Sequence, residues 1–260
     1  MNYSKNNIEE WAKRALESEI ELSKGWGGKP IEYESFIHIL NEIVPWSGDL
    51  NRAVGVKLTD FKSFEVIVKQ VESLHTEKGI ERPDRYDIAF PPLDEKVWSS
   101  FLSEKGFRLG TVIFFYSPAL DKQLPSGFEL FSPNVDEHLK WYEESVKIKG
   151  YYNEDDFKKL KLLELNFIKT FKPYWLMKQG KMIGSVYCAN LGEYSRLFAV
   201  EIKEEFRGQG FGTLLMDSIR IEAGKAKSKY ILIQTDEKVR KFYEKQGFKE
   251  CARYSVIRLK

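Results

Sequence analysis

The sequence predicts an α/β fold in tandem, with a mixed central sheet flanked by helices in each half. Three observations lead there. Strand-like and helix-like runs alternate along the chain, a turn-rich stretch near the middle separates two such series, and short matches from the first series recur in the second. Such alternation is the pattern of sheets covered by amphipathic helices.

The elements follow in order. Residues 4–24 read as a helix with Ile8, Trp11, Ala12, Ala15, Leu16 and Ile20 on one face, ended by Gly25-Trp26-Gly27-Gly28. Strands are expected at Glu34–Ile39 and Arg52–Leu58, a helix at Phe61–Glu77 stopped by Gly79, a strand at Arg85–Phe90, a helix at Asp94–Lys105 and a strand at Arg108–Tyr116. The segment Ser117–Gly127 carries two prolines and several turn formers, which marks a linker at 118–126 between domains 1–117 and 127–260. The second series then opens with a strand at Phe128–Phe131 and helices at Asp136–Lys149 and Glu154–Phe171. Strands at Tyr174–Lys178 and Met182–Ala189 flank a Gln179-Gly180-Lys181 turn. A strand at Ser195–Ile202, a helix after Gly210, a strand at Tyr230–Gln234, a helix at Glu237–Gln246 and a strand at Cys251–Leu259 complete it.

Composition limits the function. The chain has 260 residues, enough for two domains, and its 42% hydrophobic and 14% aromatic content can fill their cores. The 41 basic and 39 acidic side chains are interspersed, which argues against nucleic-acid binding. Two cysteines, Cys188 and Cys251, form neither a disulfide framework nor a metal site, so no metal is expected. No apolar run nears the roughly 20 residues that span a bilayer, and residues 1–14 do not read as a signal peptide. No membrane partner and a cytoplasmic location are therefore expected, with monomer and homodimer both open.

The richest segment is Arg207-Gly208-Gln209-Gly210-Phe211-Gly212-Thr213, which follows a strand and opens a helix. Glycines let the backbone reach positive φ and approach a ligand, and consecutive N–H groups at a helix start hold anions. The spacing is neither that of a P-loop, which needs a following lysine, nor that of a dinucleotide fingerprint. A pyrophosphate fits.

The segment Glu201–Gly212 resembles the acetyl-CoA motif of the GNAT acetyltransferases, Arg/Gln-x-x-Gly-x-Gly/Ala after a strand. Phe242-Tyr243-Glu244-Lys245-Gln246-Gly247-Phe248 resembles the second signature of that family, in the right order and one strand later. The resemblance covers about the last 130 residues. It implies an N-acetyltransferase that moves an acetyl group from acetyl-CoA to a primary amine of a small molecule or peptide by direct transfer. It further implies that Arg207, Gly208, Gln209, Gly210, Phe211, Gly212 and Thr213 cradle the pyrophosphate, and that Val200 and Ile202 bind the pantetheine arm. The Ile202 N–H would polarise the thioester carbonyl, and Tyr243 would protonate the departing thiolate. Where the family usually has Asn, this chain has Asp236, which can cap the following helix but cannot donate an amide N–H. Glu201 and Glu193 are the candidate bases. A CoA-binding sensor without turnover and an interaction protein with a vestigial site are the alternatives.

The first half echoes the second. Ala53–Lys57 lines up with Ala199–Lys203, Asp94–Val97 with Asp236–Val239, and Phe101–Phe107 with Phe242–Phe248. Leu58-Thr59-Asp60-Phe61-Lys62-Ser63 stands where the glycine loop would be, so residues 1–117 read as a degenerate copy without a CoA site.

Overall fold

The structure, a computed structural model, describes residues 5–80, 85–88, 92–149 and 153–260. Residue 4 of the expected first helix, residues 89–90 of the expected third strand and the side chain of Ile8 lie outside it. In chain order the elements are α1 (Lys5–Gly25), β1 (Lys29–Glu32), β2 (Ile37–Leu40), β3 (Arg52–Val56), α2 (Phe61–Lys78), β4 (Arg85–Ile88), α3 (Glu95–Glu104) and β5 (Phe107–Pro118). After them come β6 (Phe128–Phe131), α4 (Val135–Lys149), α5 (Glu154–Thr170), β7 (Lys172–Lys178), β8 (Lys181–Asn190), β9 (Tyr194–Ile202), α6 (Phe211–Lys225), β10 (Tyr230–Thr235), α7 (Arg240–Lys245) and β11 (Lys249–Leu259). The helix expected at Glu237–Gln246 is a 3-10 turn, Glu237–Val239, running into the short α7. Strand β1 is the element that sequence pattern misses. It is four residues long, begins Lys29-Pro30 and is largely exposed, so it shows no apolar alternation.

The chain divides into two compact units, Met1–Phe114 with Cys251–Lys260, and Phe115–Glu250. This differs from the division read from sequence. The break falls within β5 and not after it, and most of β11 groups with the first half. Strand pairing is the reason, because β11 lies antiparallel to β4, with Ser255 opposite Ile88 and Ile257 opposite Tyr86.

In the first unit, β1, β2 and β3 are antiparallel neighbours and β3 runs parallel to β4. Helix α2 buries Phe64, Ile67, Val71 and His75, one stripe at helical spacing. Phe64, Ile67 and Val71 meet Tyr86, Leu102, Phe107 and Ile257 in one apolar core. Each large side chain so buried contributes about 1.5–3 kcal/mol. In the second unit, β6 to β9 are antiparallel neighbours and β9 runs parallel to β10. Helix α6 turns Leu215, Met216 and Ile219 inward, and α5 buries Leu163 and Phe167.

The two halves of the chain share an order: three antiparallel strands, a helix, a strand parallel to the third, a helix, a strand. Both third strands carry one left-handed residue, Gly55 at φ 62° and Ala199 at φ 48°. Pairing supports this match, since Ile37↔Val54 and Ile39↔Arg52 correspond to Tyr187↔Phe198 and Ala189↔Arg196. Gly55 thus corresponds to Ala199 and Arg52 to Arg196. That register is two residues away from the one that sets Ala53 against Ala199.

Candidate active site

Strand β9 makes the site because only half of it is paired to β10. The parallel rungs run from Tyr194↔Tyr230 to Leu197↔Ile233. At Ala199 the backbone turns left-handed and the β8–β9 register slips by one residue, between Tyr187↔Phe198 and Ser185↔Glu201. An extra residue of this kind bends a strand and sharpens its twist. Residues 198–202 therefore have no rungs to β10, and a fork opens.

Beyond the bulge β9 stays bound to β8. Lys203 N donates to Ile183 O at 2.9 Å, so alternation points the N–H and C=O of Ile202 to the opposite, open edge. Gly184 stands opposite Ile202, and a Cβ there would lie 2.5 Å from Glu201 O and 2.6 Å from Ile202 Cδ1. Only glycine admits strand β9 so close. No sequence motif marked it.

The loop closes the fork. Arg207 Nε donates to Ile202 O at 3.0 Å, and Gln209 Nε2 donates to Glu205 O at 3.1 Å. Gly208 and Gly210 are left-handed, at φ 75° and 82°, with open space where a Cβ would stand. Gly210 is the N-cap of α6 and supplies no side chain to the helix start. The first N–H groups of the helix, those of Phe211, Gly212 and Thr213, thus receive no side-chain cap, an arrangement that can hold an anion. The same position in the first unit is filled from within. Asp60 caps α2 by accepting from Ser63 N at 2.7 Å, and Ser63 Oγ accepts in turn from Asp60 N.

Tyr243 lies buried on α7, stacked on Phe115 and edge-on to Phe242 and Phe248. Burial pushes its hydroxyl up to about 12, against a smaller opposing pull from Arg196. Arg196 is itself buried. It donates to Gln234 Oε1 at 3.1 Å and to Leu197 O, which ties β9 to β10 where they part. Sequence reasoning missed Arg196, and its burial is legible only in the fold. Asp236 accepts from Lys238 N at 2.9 Å, the expected cap. Val200 and the exposed Glu201 follow the bulge, whereas Glu193 lies at the other end of β9 and pairs with Lys229 at 2.5 Å. Burial pushes the Cys188 thiol up to about 12, which removes the thiolate a nucleophile needs.

Behind the fork, α4 and α5 cover one face of β7 to β9. There Glu164 Oε1 accepts from Tyr187 OH at 2.8 Å and pairs with His138 Nε2 at 2.6 Å, all three side chains buried. Burial, and then Glu164, raise the Tyr187 hydroxyl. No sequence pattern marks His138. Its partner is 26 residues away. Among the described residues no three His, Cys, Asp or Glu side chains form a metal site, and no helix is long and apolar enough to cross a membrane.

Comparisons with known proteins bear on the fold and the family. Residues 171–250 match the acetyltransferase (GNAT) domain model. The fold is that of a GCN5-related N-acetyltransferase from Kribbella flavida, with TM-score 0.63 and 14% identity over 94% of this chain and 95% of that one. A GCN5-related N-acetyltransferase from Sphaerobacter thermophilus is similar, with TM-score 0.58 and 13% identity over 92% and 84%. So is a tandem GNAT protein of the clavulanic acid biosynthesis pathway, with TM-score 0.51 and 12% identity over 85% and 77%. No curated protein matches.

Proposed function

Residues 171–250 carry an acetyltransferase (GNAT) domain, and on that premise we propose that the chain is an N-acetyltransferase, taking acetyl-CoA as donor and a primary amine as acceptor. The observation that carries the reading is the fork of β9 and β10 with an uncapped, glycine-bounded helix start beside it. The residues fit the donor. The N–H groups of Phe211, Gly212 and Thr213 and the Arg207 guanidinium suit a pyrophosphate. The free edge at Val200 and Ile202 suits the amide-bearing pantetheine arm, in the manner of an added strand.

Chemistry follows from the same atoms. The Ile202 N–H donates to the thioester oxygen as charge gathers there. The amine, mostly protonated at neutral pH with an ordinary pKa near 10.4, gives its proton to water or to Glu201 before attack. Its lone pair then forms the C–N bond as the C–S bond breaks, and the nitrogen releases its second proton to solvent to give the neutral amide. Tyr243 remains protonated at working pH and donates a hydrogen bond to the departing sulfur. A thiolate with an ordinary pKa near 8.5 is a weaker base than the Tyr243 phenolate, so solvent completes the protonation.

The N-terminal half is a second copy of the fold that has lost this donor site. Its element order, the left-handed Gly55 and the self-capped α2 support that reading. The decisive experiment has two parts. Acetyl-CoA at 100 times its Kd should stabilise the protein by about 2.7 kcal/mol, and an unchanged melting temperature would sink the donor assignment. Thiol release across an amine panel separates an enzyme from a CoA-binding sensor.

A further inference from the structure

The face that α4 and α5 cover is chemically unlike a packed core. Strand register sets Phe131 opposite Trp175, Trp175 opposite Ser185, and Ser185 opposite Glu201. Directly opposed residues share a face, so one row runs from β6 to the carboxylate beside the fork. Trp141 of α4 lies over it, its ring 6.0 Å from that of Trp175, and the Phe131 ring is 5.9 Å from Trp175 on the other side. All three rings are part exposed. Beneath them, 5.5 Å from the Trp141 ring, is the ring of His138, hydrogen-bonded to the fully buried Glu164.

Polar atoms here lack the partners that a core supplies. Glu164 Oε2, His138 Nδ1 and Trp175 Nε1 are all buried, and none has a hydrogen-bond partner. Buried polar atoms are nearly always bonded, so three in one cluster need an explanation beyond packing. The positive group on the same face, Arg196, is engaged by Gln234 and by Leu197 O.

We propose that this aromatic row is the acceptor subsite, and that the acceptor is an arylalkylamine. The inference rests on the acyl-transfer reading for the role of the site, though not for the existence of a site. Aromatic rings receive an aromatic ring in stacked or edge-on contact. Glu201 at the end of the row, with Glu164 below, draws an ammonium. Trp175 and Glu201 are two strand spacings apart, about 9.5 Å. An aromatic ring and an ammonium joined by two carbons, with their contact distances, fill that interval.

The probe is 2-phenylethylamine, titrated by calorimetry into wild-type protein saturated with CoA. Butylamine keeps the charge without the ring, and 2-phenylethanol keeps the ring without the charge. The expected result is saturable binding of 2-phenylethylamine at least tenfold tighter than either. Trp141→Ala should lose tenfold or more of that affinity while leaving CoA binding unchanged, and Glu201→Gln should weaken the amine but not the alcohol. Equal affinity for butylamine, or no binding of 2-phenylethylamine, overturns the proposal. So does wild-type affinity in a folded Trp141→Ala. If that variant does not fold, the wild-type comparison decides. Failure of the donor reading is separate, because it shows as absent CoA binding in the wild-type titration that precedes the amine, and failure of the enzyme reading shows as no thiol release from acetyl-CoA with 2-phenylethylamine bound.

Discussion

Gly210 sits at φ 82° with nothing near its missing side chain, and a glutamate there meets two penalties. A left-handed non-glycine residue costs about 1–2 kcal/mol, and its carboxylate takes the place of the anion. Gly210→Glu should remain folded and lose the acetyl-CoA thermal shift; a retained shift would remove the loop from the donor site. Tyr243→Phe keeps the ring against Phe115 and removes the donor. The turnover rate should fall by about 10²-fold with acetyl-CoA affinity unchanged. Because burial holds the hydroxyl near 12, its loss should not alter the pH–rate profile between pH 7 and 10. An unchanged rate on a substrate whose chemistry is rate-limiting would leave Tyr243 as packing. Both residues stood out in the sequence because each belongs to a contiguous motif. Arg196, Gly184 and Glu164 did not, since what makes them matter is a neighbour on another strand or helix.

Strand β2 and helix α2 hold a buried imidazole pair, with His75 Nε2 and His38 Nε2 3.1 Å apart. One nitrogen must donate and the other accept, which requires a neutral partner. His38 Nδ1 is buried without a partner, so a second proton on that ring would bury an unbonded N–H. Burial, and secondly His75, lower His38 from 6.5 to about 3. The unfolded chain therefore binds a proton below pH 6.5 that the folded chain excludes. Stability from this group is complete above pH 6.5 and falls as the pH drops toward 3, by up to about 1.4 kcal/mol per pH unit. Urea unfolding at pH 7, 6 and 5 should show that loss, and His38→Gln should flatten it by one proton; an equal slope in the variant would refute the assignment. Elements of this kind were legible where spacing was regular. Helix α2 reads from Phe64, Ile67, Val71 and His75, and its stop from Gly79, which is left-handed. The bulge in β9 was not legible, because an alanine occupies the left-handed position that glycine normally announces.

For the molecule as a whole, equilibrium titration should find one acetyl-CoA per chain. Asp60 already fills the helix start of the first unit, and two sites would refute its loss of function. The sequence alignment of the two halves sets Ala53 against Ala199, because matching Ala-Val pairs draw it there. Strand pairing, which no linear comparison contains, moves it to Gly55. The largest departure from the linear reading is β11, and it bears on how the protein is made. Tyr254 OH donates to Ala12 O at 2.5 Å, Ser255 Oγ accepts from Leu93 N at 2.8 Å, and Ile257 completes the core around Phe64. During synthesis residues 115–250 leave the ribosome before residues 251–260 do. The unit begun first can therefore be completed only after the unit begun second has emerged in full. Until then the nascent chain carries an open edge at β4 and a core lacking Ile257, and that interval is when chaperone binding would do most for yield.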